Sequence, residues 1–303
     1  MKKIIYLDQN KWIELSQCFY GKSDKHRDVL GVIIEKTNSG EWIFPISIIH
    51  HIETEIREQD VQRQKLAKFM GVISKNWTIK PNLIDRNNEL ECNFNNKCYN
   101  PIKQDYLNVI GQNLDDVKIT LNNRVLDTNI MENLKQSSLD YNVFEEFIEI
   151  QHNTGDREEQ FADNEFHKET LEYFRKESEK NSDKSIEDQF IYFYMDCFKG
   201  EYSQILRKIL PENQNKIAYK MYKQKLPKSF YVKMKLIFES VIKNKERKID
   251  KNDFKDIMFL SMAIPYCDVV ITERFWTGLI TENGLDKMYD TVISKNIDKL
   301  IQL

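Results

Sequence analysis

Two short apolar runs, each closed by an acid, lie near the two ends of this chain. The first, Lys3-Ile4-Ile5-Tyr6-Leu7, ends in Asp8; the second, Val269-Val270-Ile271-Thr272, is preceded by Asp268 and followed by Glu273. Their β-branched and aromatic residues read as strands, and the unbroken apolar run before Asp8 reads as a strand buried on both faces, as in parallel sheets covered by helices. In open α/β sheets ligands gather outside the carboxyl ends of the strands. Acids that close two such strands would therefore face one shared crevice.

The segments between them alternate in type. Asn10 stands where it can cap a helix reaching Cys18, and Ser23-Asp24 can begin a second, with Val29, Leu30, Val32, Ile33 and Ile34 along its apolar side. Residues 41–46 read as a second strand, Ser47 as the cap of the helix carrying Glu53, and a further helix runs to about Ser74. A short third strand over 77–80 stops at Pro81. The order β-α-α-β-α-α-β predicts an α/β fold with a central parallel sheet and helical crossovers.

Residues 82–230 differ. An Asn-rich loop over 87–100 precedes a mostly helical block, with Phe144, Phe147, Ile148 and Ile150 on one apolar face and Phe190, Ile191, Phe193, Tyr194 and Phe198 on another. The charged stretches 151–159 and 176–184 read as connectors. The α/β pattern returns with a helix over 231–244, a helix over 254–263 capped by Asn252-Asp253 and stopped by Pro265, strands over 269–272 and 288–293, and a last helix capped by Asn296. The sequence thus predicts one domain from residues 1–81 and 231–303, and a helical insertion or subdomain over 82–230.

The chain has 303 residues, of which 41% are hydrophobic and 31% charged, enough to bury a sizeable core. Its net charge of −3 excludes a globally basic nucleic-acid binder. No apolar stretch approaches membrane-spanning length, and Met1-Lys2-Lys3 leads into a strand without a signal-peptide core, so a cytoplasmic protein without membrane contact is expected. Cys18, Cys92, Cys98, Cys197 and Cys267 form no CxxC pair and read as reduced structural thiols. The adjacent His50-His51 read as helix-surface residues. Abundant Lys, Asn and Ile point to an AT-rich, bacterial genome.

Each candidate acid has an ordinary reading beside the functional one. Asp8 fits a helix cap. Glu53 and Glu55 both flank the face made by Ile49, Ile52 and Ile56, and periodicity does not choose between them. Asp256 lies one turn after Asp253, and either can complement a helix dipole. Asp268 and Glu273 bracket a strand, where turn-forming Asp is common. Jointly they say more: carboxylates held close repel one another unless a cation neutralises them. Oxygen-only ligands favour Mg²⁺ or Mn²⁺, and such ions in an open site suit phosphodiester hydrolysis.

In this order the motifs resemble the PIN-domain ribonuclease superfamily. The resemblance covers about residues 1–80 and 230–303: a strand ending in Asp8, Ser47 six residues before Glu53 after the second strand, Asp256 at a helix start, and the apolar run ending in Thr272. In many members the last acid stands two residues beyond the Thr; here Arg274 occupies that place. Either Glu273 substitutes, or Asp268 contributes, or the fourth acid is lost. The resemblance implies a three-layer α/β/α sandwich and metal-dependent endonucleolytic cleavage of RNA, with Asp8, Glu53 and Asp256 as ligands of Mg²⁺ or Mn²⁺ and Glu273 holding a second ion or its water. It also implies a toxin or defence effector, restrained by an inhibitory protein partner or a homodimer. Thr272 would support the ligands, and Asn10 would orient a phosphate or, more simply, cap the first helix.

For RNA, the chain offers Lys216, Lys220, Lys223, Lys225, Lys228, Lys233 and Lys235, a run without an acid and interleaved with Tyr219, Tyr222, Phe230 and Tyr231. Lysines contact phosphates and aromatic rings stack on unpaired bases, although a solvated helix with its rings in the core has the same pattern. Arg247 and Lys248 could extend the run. Arg274 could stabilise developing phosphate charge, or pair with a nearby acid. Two other classes compete: a PIN-like RNA-binding or protein-interaction scaffold that has lost catalysis, favoured by the displaced last acid, and a partner-binding module carried by the insertion. A haloacid-dehalogenase-type phosphatase is disfavoured, because Asn10 stands where that family needs a second Asp.

Overall fold

The computed structural model describes residues 2–79, 110–112, 164–209 and 213–303. The expected Asn-rich loop over 87–100, the apolar face at Phe144–Ile150 and the connector over 151–159 lie outside them. The described residues form two compact units, one of residues 2–79, 110–112 and 266–303, the other of 164–209 and 213–265.

The first unit is α/β. Strands β1 (Lys3–Leu7), β2 (Trp42–Ile43), β5 (Val269–Ile271) and β6 (Val292–Ser294) form one sheet in the order β2-β1-β5-β6, and every pairing is parallel. The strand that ends in Asp8 thus lies beside the strand that ends before Thr272. Ile5, Leu7, Val269 and Ile271 point into one core with Trp12 and Leu15 of α1 (Gln9–Phe19), Val29 and Ile33 of α2 (Arg27–Asn38), and Phe69 and Met70 of α4 (Asp60–Ser74). Tyr6 and Val270, which alternate with them, are also fully buried. That is why these strands carry no polar alternation.

Several boundaries differ from the expected ones for local reasons. Only Trp42–Ile43 pairs with β1, because Pro45, lacking an N–H, cannot continue a ladder. Ile46 instead bridges to Thr78 of β3 (Thr78–Ile79), and β3 pairs antiparallel with β4 (Ile110–Gly111) in a separate two-stranded sheet. The second helix starts at Arg27 rather than at Ser23-Asp24. His26 occupies its cap position, buried between Glu14 at 3.0 Å and Asp298 at 3.3 Å. Met288 belongs to a short helix, Leu285–Tyr289, that ends at Asp290 in the left-handed region, and only then does β6 begin. Ser47 and Asn296 cap their helices as expected.

The second unit is helical: α5 (Asn164–Ser178), α6 (Ile186–Glu201), α7 (Ser203–Ile209), α8 (Gln214–Gln224) and α9 (Lys228–Ile237), which ends in a π-turn over Phe238–Ile242. Its core is aromatic. Tyr194 stacks on Phe198 and meets Phe230 edge-on, and Phe190 packs on Tyr231 and Phe238. These contacts bring 231–265, read from the sequence as part of the α/β portion, into the helical unit. Helix α10 runs Asp253–Tyr266, one residue beyond Pro265, and leads into β5. Among the described residues no helix is long and apolar enough to cross a membrane.

Candidate active site at the carboxyl ends of β1 and β5

Leu7 of β1 pairs with Ile271 of β5, and the next N–H, that of Asp8, donates to the Ile271 carbonyl at 2.9 Å. Asp8 and the Thr272-Glu273 step therefore leave the sheet together. Asp8 is the N-cap of α1: its Oδ1 accepts from the Asn10 N–H at 3.3 Å while its main-chain carbonyl accepts from Lys11 at 2.8 Å. The expectation that Asn10 caps this helix is thus corrected. Asn10, two residues on, instead points its side chain across the strands, and Nδ2 donates to Glu273 Oε1 at 2.9 Å. Thr272 is fully buried and its hydroxyl lies 3.4 Å from Asp8 Oδ2, long for a hydrogen bond between oxygens. Glu273 is exposed and stands at the N-cap position of α11 (Arg274–Glu282).

Burial dominates the electrostatics of Asp8. The residue is 6% exposed, and desolvation followed by the negative charge of Glu273 raises its pKa to about 6, against the Asn10 N–H, the Thr272 hydroxyl and Lys11, which lower it. A cation or a proton relieves this. The two carboxylates open on a cleft of about 540 Å³, within the range of small-ligand sites, whose wall also carries Lys11, Arg274 and Lys295. Lys11 pairs with Glu14 at 3.0 Å, whereas Arg274 and Lys295 form no ion pair among the described residues. Sequence reasoning missed Lys11 and Lys295. Lys295 follows β6, and its place becomes legible only once β6 is known to lie beside β5.

His50 anchors the end of β1. It sits at the third position of α3 (Ile48–Glu55), where Nδ1 accepts from the Ser47 N–H at 3.0 Å and Nε2 faces the Leu7 carbonyl at 2.9 Å. Since Nδ1 accepts, the proton resides on Nε2 and is donated to Leu7. The ring stacks on Tyr6 with centroids 5.1 Å apart. Burial lowers its pKa to about 4 and that of His51, with help from His50, to about 3. The expectation of surface histidines is thereby corrected: α3 is covered on more than one side, so adjacent positions are both buried.

The other predicted acids fall in different places. Glu53 is half-buried on α3. Its charge, like that of Asp8, is felt by Tyr6, whose hydroxyl is raised well above its ordinary pKa chiefly by burial. Glu55 is buried. Asp256 lies in the first turn of α10, in the helical unit; its neighbour Asp253 is gripped by Arg247 through bonds of 2.6 and 2.7 Å. Asp268 sits at the amino end of β5, where Oδ2 accepts from the Ile4 N–H at 2.8 Å, a strand's length from Asp8. It holds the opposite end of the β1–β5 pair. Among the described residues no three His, Cys, Asp or Glu side chains gather so as to hold a metal ion. The Asp8–Glu273 pair, all oxygen, fits a hard divalent cation in chemistry, but supplies two ligands.

The lysine run divides. Lys216, Lys220, Lys223 and Lys225 are exposed on and just after α8, with Lys223 over the Tyr219 and Tyr222 rings at 5.3 and 5.7 Å. Lys228 is buried, and Lys233 and Lys235 pair with Glu201 and Glu239. Phe230 and Tyr231 belong to the aromatic core, and Arg247 is engaged by Asp253. Of the interleaved rings Tyr219 is the most open, at 44% exposed.

The chain matches no known protein family, no characterised protein and no solved structure.

Proposed function

We propose that the protein is a metal-dependent endoribonuclease that hydrolyses RNA phosphodiester bonds, built as a PIN-like three-layer α/β/α sandwich. The observation that supports this most is the meeting of Asp8 and Glu273 at the carboxyl ends of two neighbouring parallel strands, over a cleft that also carries Arg274 and Lys295. Substrate-binding clefts of open α/β sheets lie at this end. Asp8 and Glu273 would hold Mg²⁺ or Mn²⁺, with water and phosphate oxygens in its remaining positions. Such an ion activates water and neutralises phosphate charge when bound. Arg274 and Lys295, which line the same cleft, would bind the phosphate. Asn10 holds Glu273 in orientation. The aligned ends of β1 and β5, with His50 behind Leu7, keep Asp8 in place.

A toxin or defence role, with an inhibitory partner or a homodimer, belongs to the same reading. A second reading, an inactive RNA-binding scaffold, is favoured by one specific observation: no group of three potential metal ligands assembles among the described residues.

End-labelled single-stranded and structured RNAs, incubated with Mn²⁺ or Mg²⁺ and with EDTA, separate the two. The nuclease cuts only with metal, and Asp8→Asn and Glu273→Gln abolish or sharply reduce cutting. RNA binding with no cleavage under any metal supports the scaffold.

A further inference from the structure

A second cavity lies beside the carboxylate cleft and has the opposite charge. It occupies about 70 Å³ between α1, α4 and the turn that joins α3 to α4, and three cations line it: Lys22, Arg57 and Lys65. No acid lines it, and none of the three forms an ion pair among the described residues. Lys65 rests on the Tyr20 ring, 5.2 Å from its centroid. Arg57 Nε is buried without a hydrogen-bond partner among the described residues.

Like charges gathered in one cavity repel, and a buried guanidinium N–H without an acceptor costs about 1–3 kcal/mol. Both are relieved by one anion. Desolvation lowers the pKa of Arg57, a cost that the charge of Glu53 only partly offsets. Ser16, Gln17 and Gln62 add neutral donors around the same cavity. A group with several acceptor oxygens and more than one bond's reach suits this set better than a chloride. The space holds a few waters, the scale of a phosphate group.

We propose that Lys22, Arg57 and Lys65 form a phosphate-binding pocket next to the Asp8–Glu273 cleft. Ile13 and Gln17, one turn apart on the exposed side of α1, line both cavities, so the two share a wall. A nucleic-acid strand with one phosphate in the basic pocket can follow α1 toward Asp8. The pocket stands without the nuclease reading; only the path toward Asp8 rests on it.

The test is isothermal titration of the full chain carrying Asp8→Asn, to prevent cleavage, with two probes: inorganic phosphate and a short single-stranded oligoribonucleotide. The double variant Arg57→Gln/Lys65→Gln should weaken oligonucleotide binding at least tenfold and flatten its salt dependence. Arg57→Lys should retain most of the affinity, and Lys299→Ala, an exposed charge removed elsewhere, should leave it unchanged. Phosphate binding that disappears in the double variant, without an effect on the oligonucleotide, supports the pocket and identifies a small phosphate-bearing ligand as its occupant. If the double variant binds both probes as its parent does, or the parent binds neither, the pocket is refuted. If binding behaves as expected while the native chain cuts no RNA, the nuclease reading falls and the pocket remains.

Discussion

The imidazole of His50 donates from Nε2 to the carbonyl of Leu7 at 2.9 Å, and so ties the start of α3 to the residue before Asp8. The same ring accepts from the Ser47 N–H and stacks on Tyr6. One buried side chain therefore joins the end of the first strand, α3 and the residue before the candidate ligand. His50→Phe keeps the stack and removes both hydrogen bonds. It should cost about 1–3 kcal/mol in a denaturant titration, the penalty for stranding buried backbone groups. A change below about half a kcal/mol would show that β1 needs no such anchor.

His50 and His51 also predict the acid limb of stability. Their pKa values, about 4 and about 3, lie below the ordinary 6.5. The unfolded chain thus takes up their protons first. Their contribution is present in full above pH 6.5 and is lost as pH falls toward 4 and 3. Asp8 runs the other way: its folded value of about 6 exceeds 3.8, so it favours the folded state as pH falls between those values. Two histidines against one aspartate leave a net loss of about one proton's worth, roughly 1.4 kcal/mol per pH unit, between pH 6 and 4. Melting curves across that range should fall accordingly, and less steeply in His50→Phe.

At neutral pH the ionised Asp8 burdens the fold. Asp8→Asn should raise stability by about 2 kcal/mol at pH 7.5, with the gain vanishing below pH 4. Millimolar Mn²⁺ should raise the melting temperature of the native chain and not that of the variant, since only a folded-state ligand stabilises. A variant less stable than the native chain at pH 7.5 would contradict the assignment of Asp8 as a desolvated, functionally retained acid.

Asn10 donates to an exposed carboxylate, so its role should appear in activity and not in stability. Asn10→Ala should lower RNA cleavage about tenfold, the effect of one oriented bond worth about 1.4 kcal/mol. Its unfolding free energy should change by less than about 1 kcal/mol. Full activity in Asn10→Ala would remove it from the site.

In the helical unit, Asp253 is buried and accepts from both Arg247 nitrogens and from the Asp250 N–H at 2.7 Å. Asp253→Ala breaks this buried pair and should cost about 3–5 kcal/mol. A loss below about 1 kcal/mol would show that the helical unit does not depend on the pair.

Features that depend on a residue and its near neighbours were legible from the amino acids alone. The unbroken apolar runs at Ile4–Leu7 and Val269–Ile271 announced buried parallel strands, because a strand covered on both faces admits no polar alternation. Ser47 and Asn296 announced helix starts, because a side-chain oxygen bonds the N–H groups two or three residues on. Which strands lie side by side, and hence that Asp8 meets Glu273 while Asp268 holds the far end of the same pair, emerged from long-range packing. The same packing buries both His50 and His51, covers Lys228, and lines one cavity with Lys22, Arg57 and Lys65. These are relations between residues distant along the chain. Local propensity and periodicity carry no term for the packing that creates them.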